Sequence, residues 1–182
     1  MKLMGQVVAA TILVLLFDLR LKSMYGLLGI YEIPLVLSYL VTVFTIIVIT
    51  NSFNLIDGLD GLAGTVASIS LLAFGIWFLL IGDTVFAILA FCMVGSLVAF
   101  LIFNWEPSKI FMGDTGALVA GMMLSIMAIY FINANFNLPA DHSYRFSGTV
   151  ATAVCFIIIP LVDTMRIFIL LISRGQSPFT PD

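Results

Sequence analysis

Polar residues recur at three-residue steps in the stretch Asn51-Ser-Phe-Asn54-Leu-Ile-Asp57-Gly-Leu-Asp60-Gly-Leu. On a helical turn this spacing would stack Asn51, Asn54, Asp57 and Asp60 along one face. A row of hard oxygen donors suits a divalent cation, or the hydroxyls and amides of a polar substrate. Gly58 and Gly61 relieve crowding where a ligand or another backbone approaches. The structural alternative is a capped helix junction, with Asp60 as N-cap of the next helix. That alternative is as good as a functional role for Asp60 alone, but a turn does not require two Asn and two Asp together. The spacing Asp57-x-x-Asp60 is not a calcium loop, because the alternating ligands and closing Glu are absent.

A second motif reads Asn104-Trp-Glu-Pro-Ser-Lys109-Ile-Phe111-Met-Gly113-Asp114-Thr-Gly116. Asp114 lies just before an apolar run, between two glycines that leave room for a ligand. Magnesium takes one or two carboxylates together with phosphate oxygens and water, so Asp114 and a residue of the first motif could hold it. A helix beginning at Thr115 or Gly116 would favour phosphate at its N-terminus. Lys109 could neutralise phosphate charge, and Phe111 offers a face for stacking a base. Trp105 reads as an anchor at the membrane interface. Helix capping is the plain alternative for Asp114. A third polar feature, Asp163-Thr-Met-Arg166, has the i, i+3 spacing of a mutual ion pair and reads first as a structural clamp. His142 reads as an exposed loop residue.

The elements that must position these groups follow from composition. Of 182 residues, 62% are hydrophobic and 9% charged, whereas soluble domains are about half apolar and about a quarter charged. Lipid must cover the excess, which makes the chain an all-α integral membrane protein. A net charge of −3 with no basic patch argues against nucleic acid. Cys92 and Cys155, inside apolar runs, read as buried small hydrophobes.

Six segments suit spans: Leu3–Phe17, Ile33–Thr50, Leu62–Ile81, Thr84–Phe103, Gly116–Ile132 and Phe146–Ile172. Together they form one membrane domain over residues 1–182. Gly64, Gly75, Gly95 and Gly121 suit close helix approach, and Pro160 should kink the last span. Alternation puts Asp18–Glu32, Gly82–Asp83 and Asn133–Arg145 on one side. Asn51–Gly61, Asn104–Thr115 and Ser173–Asp182 fall on the other, with the N-terminus. Every motif that could carry chemistry therefore faces one compartment. Lys2, Lys109, Arg166 and Arg174 on that side, against Arg20, Lys22 and Arg145 opposite, lean it toward the cytoplasm.

The stretches from Asn51 to Gly64 and from Phe111 to Gly116 resemble the patterns of the polyprenyl-phosphate N-acetylhexosamine-1-phosphate transferases, a glycosyltransferase family 4 group, and the GlcNAc branch in particular. The resemblance implies a bundle of about ten or eleven membrane helices in the bacterial cytoplasmic membrane, with a cytoplasmic active site. It implies Mg²⁺, or Mn²⁺, held by Asp114 with Asn54 as second ligand, and Asp57 and Asp60 lining the nucleotide-sugar site. Asn51, Asn104, Lys109 and Phe111 would contact substrate, with Phe111 near uracil. The implied reaction is attack of undecaprenyl phosphate on the β-phosphate of a UDP-N-acetylhexosamine, releasing UMP, with a homodimer as an open arrangement. Two departures stand out. The family's adjacent Asp pair is absent from these residues, and so is its His-rich motif. The chain is therefore expected to be a piece of a longer enzyme, inactive by itself. An inactive scaffold and a small transporter are the other readings.

Overall fold

The structure, a computed structural model, describes residues 2–26, 29 and 31–173. The Lys2 side chain, Arg174 and the expected motif-side tail lie outside the described residues. The helices are α1 (Lys2–Phe17), α2 (Leu35–Leu55), α3 (Leu62–Leu80), α4 (Thr84–Asn104), α5 (Gly113–Asn137), α6 (Thr149–Phe156) and α7 (Ile158–Ser173). Hydrocarbon offers no partner to a free N–H or C=O, so each apolar run satisfies its own backbone as a helix. The all-α, multi-pass architecture expected from composition is the one observed.

The span boundaries need correction. Helices α2 to α5 are each long and apolar enough to cross a membrane. Helix α1, with 16 residues, is about 24 Å long against a hydrocarbon core of about 30 Å. The expected sixth span is broken: α6 and α7 meet at a 77° bend and make a fifth crossing only if counted together. The cause lies in Pro160, as its position suggested. Proline has no N–H for the carbonyl four residues back, and its ring crowds that carbonyl. The carbonyl of Phe156 instead accepts a hydrogen bond from the Ser70 hydroxyl of α3, at 2.6 Å.

Two tight pairings organise the bundle. Helices α3 and α4 form an antiparallel hairpin in which Gly64 lies under Leu101 and Gly75 under Ala90 and Phe91. A Cβ on Gly121 of α5 would come 2.9 Å from the Thr50 Cα, so α2 and α5 approach backbone to backbone. Gly95 departs from expectation: nothing lies within 4 Å of its would-be Cβ. Cys92 and Cys155 are likewise exposed rather than buried. In a lipid-facing protein the outer surface is as apolar as the core, so apolar surroundings in sequence do not signal burial.

Hydrogen bonds confirm the two-sided sorting of the connections. On the side away from the motifs, Asn133 donates to the Arg20 carbonyl (2.9 Å) and accepts from the Tyr25 hydroxyl. There too the Tyr130 hydroxyl donates to Asp83 (2.7 Å) and the Trp77 indole to the Tyr144 carbonyl (2.9 Å). His142 is half-buried in this region, its Nδ1 accepting from the Tyr144 N–H. Asp163 and Arg166 of α7 form the expected ion pair, at 2.9 Å.

Candidate functional site

Helix α2 continues past its expected end, through Asn51 to Leu55, and then stops. Asn51 and Asn54 therefore sit on its last turns, while Asp57 and Asp60 belong to the turn that follows. The single helical row of four expected from the spacing does not form. Gly58 and Gly61 favour a turn instead, and Gly61 adopts the left-handed backbone (φ 73°) that a side chain would strain.

Gly61, not Asp60, is the N-cap of α3, and it offers no side chain to cap with. The Asp60 carboxylate reaches across and accepts from the Ser108 N–H at 3.0 Å. Asp57, three residues earlier, does the same, accepting from the Gly113 N–H. Helix α5 starts at Gly113, earlier than expected, so Asp114 lies inside its first turn rather than at its cap. A carboxylate at the start of α5 is favoured by the positive end of the helix dipole, and here it comes from Asp57 of another loop.

The two motifs are stitched from the other direction by Asn104. It is the last residue of α4, 5% exposed. Its Oδ1 accepts from the Gly61 N–H (3.0 Å) and its Nδ2 donates to the Ile110 carbonyl (2.8 Å). Both ends of its amide are thus engaged by the scaffold. Asn51 is engaged in the same way. Its Nδ2 donates to Gln6 Oε1 (3.1 Å) and to the Ile47 carbonyl (3.0 Å), and its Oδ1 accepts from Gln6 Nε2 (3.2 Å). Gln6 and Ser108 escaped the sequence reading. Gln6 is one amide in an apolar run, and Ser108 contributes only its backbone.

Toward solvent lie the exposed Asp114 and the half-buried Asp57, with aromatic and basic residues near them in sequence. Burial pushes the Asp57 carboxyl above its ordinary value; the Gly113 N–H pulls it down, and the nearby Asp114 charge adds to the rise. Phe111 is 77% exposed, and Lys109, two residues before it, is exposed as well. A cavity of about 590 Å³ is lined by residues 58–62, Asp60 among them, with Thr65, Trp105 and Glu106. The Trp105 ring, exposed at the end of α4 as an interface anchor would be, packs over Gly61.

The donors present suit a hard divalent cation. No group of three His, Cys, Asp or Glu gathers among the described residues. Magnesium does not need one: it takes one or two carboxylates and keeps several waters. Asp57 and Asp114 are carboxylates of the kind it takes, and Mn²⁺ accepts the same oxygen donors.

Comparison with known proteins identifies relatives of this chain. The chain is 30% identical over 182 aligned positions to an undecaprenyl-phosphate alpha-N-acetylglucosaminyl 1-phosphate transferase of Salmonella typhi, covering 97% of this chain and 47% of that protein. It is 29% identical to the Escherichia coli K12 protein of the same name, with the same coverage. It is 36% identical over 102 residues to a phospho-N-acetylmuramoyl-pentapeptide-transferase of Streptococcus thermophilus, covering 56% of this chain and 28% of that one. The chain thus spans about half the length of the fuller matches. The sequence profile of glycosyl transferase family 4 matches residues 1–132, which include both motifs, and this chain belongs to that family.

Proposed function

We propose that this chain supplies the metal and nucleotide-sugar face of an enzyme that transfers N-acetylhexosamine 1-phosphate, most simply GlcNAc 1-phosphate, from a UDP-sugar to a polyprenyl phosphate. The observation that carries this reading is the meeting of Asp57 and Asp114, from two separate connections, at the start of α5. Such a pair, with Asn54 on the adjoining helix end, would hold Mg²⁺. The ion would neutralise the diphosphate and make UMP a better leaving group. The protein's own part is positioning. Asp57 and Asp60 hold the second connection by its backbone, Asn104 fixes both connections, Lys109 meets phosphate charge and Phe111 stacks on the uracil. Attack by the lipid phosphate on the β-phosphate breaks the bond to UMP and leaves a lipid-linked diphosphosugar.

The motif face is the cytoplasmic one in this reading, in a bacterial inner membrane. The 182 residues contain no Asp-Asp pair, and their one histidine lies on the side away from the motifs. The isolated chain is therefore proposed not to complete transfer. A transport role is disfavoured because the buried hydroxyls of Thr42, Ser68 and Ser125 donate to carbonyls one turn back in their own helices rather than lining a polar path.

The test replaces the matching segment of an active relative with these residues and measures transfer of labelled HexNAc phosphate against Mg²⁺. Asp114→Asn in that chimera should reduce turnover by at least roughly 10²–10³, the scale of losing one strong electrostatic contact. Near-normal turnover and magnesium dependence would place the metal elsewhere.

A further inference from the structure

Asn51 has the chemistry of a substrate contact, yet its amide is consumed inside the protein. It forms a reciprocal pair with Gln6, with distances of 3.1 and 3.2 Å, and spends its remaining donor on the Ile47 carbonyl. Gln6 is 5% exposed, on the second turn of α1. A buried amide in apolar surroundings is costly unless paired. The pair therefore holds α1 and α2 in one relative register.

That register bears on the metal centre. Asn54 follows Asn51 by three residues, on the same side of the same helix. Two residues after α2 stops comes Asp57. The other flank of this helix end is already fixed, because Thr50 and Phe53 lie against Gly121 of α5. With one flank on α5, Gln6 holds this end of α2 on the α1 side. A rotation of about 20° moves a side-chain tip at the helix's outer radius of about 5–6 Å by about 2 Å. Magnesium tolerates no such shift, since its ligands sit at about 2.0–2.1 Å in near-ideal octahedral geometry.

We propose that Gln6 is a positioning residue of the metal centre: through its paired amide with Asn51 it sets the rotation of α2, and so the placement of Asn54 and Asp57 relative to Asp114. Asn51 is then a positioning residue as well, and not a substrate contact. This rests on the metal-centre reading given above.

The experiment measures Mn²⁺ affinity of the full 182-residue chain in detergent micelles, by loss of the free-ion electron paramagnetic resonance signal, together with thermal stability. Gln6→Leu should weaken Mn²⁺ binding about tenfold, the scale on which outer-shell partners tune a metal. Tyr130→Phe, which removes a hydrogen bond on the opposite face, should leave Mn²⁺ affinity at the parent value whatever it does to stability. The exchanged pair Gln6→Asn with Asn51→Gln restores the amide ladder at the same total length. It should recover affinity to within about threefold, which also serves if Gln6→Leu does not fold.

Parental Mn²⁺ affinity in Gln6→Leu, with affinity lost in Asp57→Asn and Asp114→Asn, would overturn the proposal and leave the metal centre standing. A folded exchanged pair that binds as weakly as Gln6→Leu would overturn it too. Parental affinity in both aspartate variants would remove the metal centre, and this role of Gln6 with it.

Discussion

Replacing Asn104 by leucine separates a scaffold strap from a substrate contact. The side chain is 5% exposed and both amide atoms are bonded, to the Gly61 N–H at 3.0 Å and the Ile110 carbonyl at 2.8 Å. Leucine has a similar size, so the packing change is small and the loss is mainly one of hydrogen bonding. The Gly61 N–H becomes a buried donor without a partner, costing about 1–3 kcal/mol. Ile110 is 43% exposed, so water can reach its carbonyl and the loss there is about 0.5–1.5 kcal/mol. Together Asn104→Leu should cost about 1.5–4.5 kcal/mol, measured by reversible unfolding in mixed micelles followed by circular dichroism. Lys109→Ala, at an exposed side chain on the same connection, should stay within about 0.5 kcal/mol of the parent. If Asn104→Leu also stays within that range while UDP-sugar affinity falls, Asn104 is a substrate contact and the strap carries no load.

Two further outcomes are expected. In a background without Cys92 and Cys155, single cysteines at exposed Leu59 and Lys109 should react with an impermeant reagent from one side of the membrane, and a cysteine at Ser143 from the other; labelling of Leu59 and Ser143 positions from the same side would refute the two-sided sorting. Because Asp57 holds its proton more tightly in the fold than its ordinary 3.8, the native state binds more protons just above that value, and stability should fall as pH rises through this range without divalent ions. Asp57→Asn should abolish that fall in melting scans taken in chelator, and an unchanged slope would assign it to another group. Asp18, lowered by its bonds to Arg20 and Lys22, acts below 3.8 and in the opposite sense, its contribution being lost as pH drops.

The sequence made the distribution of chemistry legible because membrane spans alternate, so counting six apolar runs was enough to bring Asp57 and Asp114 to one side. Counting does not say how a residue is used. Asp60 was weighed as a cap for its own helix, and it instead holds Ser108 of the second connection on the same side. The resemblance implied substrate contacts for Asn104 and Asn51, and a lone amide shows its chemistry in the sequence but not its partners in the fold. Those partners lie 43 and 45 residues away, a separation that local spacing cannot encode. Gly95 and the cysteines were misplaced for the converse reason. In a lipid-facing helix the pattern that marks a buried face in soluble proteins loses its contrast, because α4 is apolar on every side.

The bend between α6 and α7 shows how one residue can be read from sequence and its compensation only from structure. Pro160 withholds an N–H, and Ser70, 4% exposed on α3, supplies the missing donor to the Phe156 carbonyl at 2.6 Å. Ser70→Ala alone should therefore leave that carbonyl unpaired in apolar surroundings, at a cost of about 1–2 kcal/mol. In a Pro160→Ala background, the new N–H lies four residues from the same carbonyl and can take it over as the helix straightens. There Ser70→Ala should cost almost nothing. The double-mutant cycle should then show a coupling of about 1 kcal/mol between residues on two different helices. Spin labels at Val150 and Leu170 should move apart in Pro160→Ala as the 77° angle opens. If Ser70→Ala costs the same in both backgrounds and the label distance does not change, the bend is set by the packing of α6 against α5, and Pro160 merely occupies it.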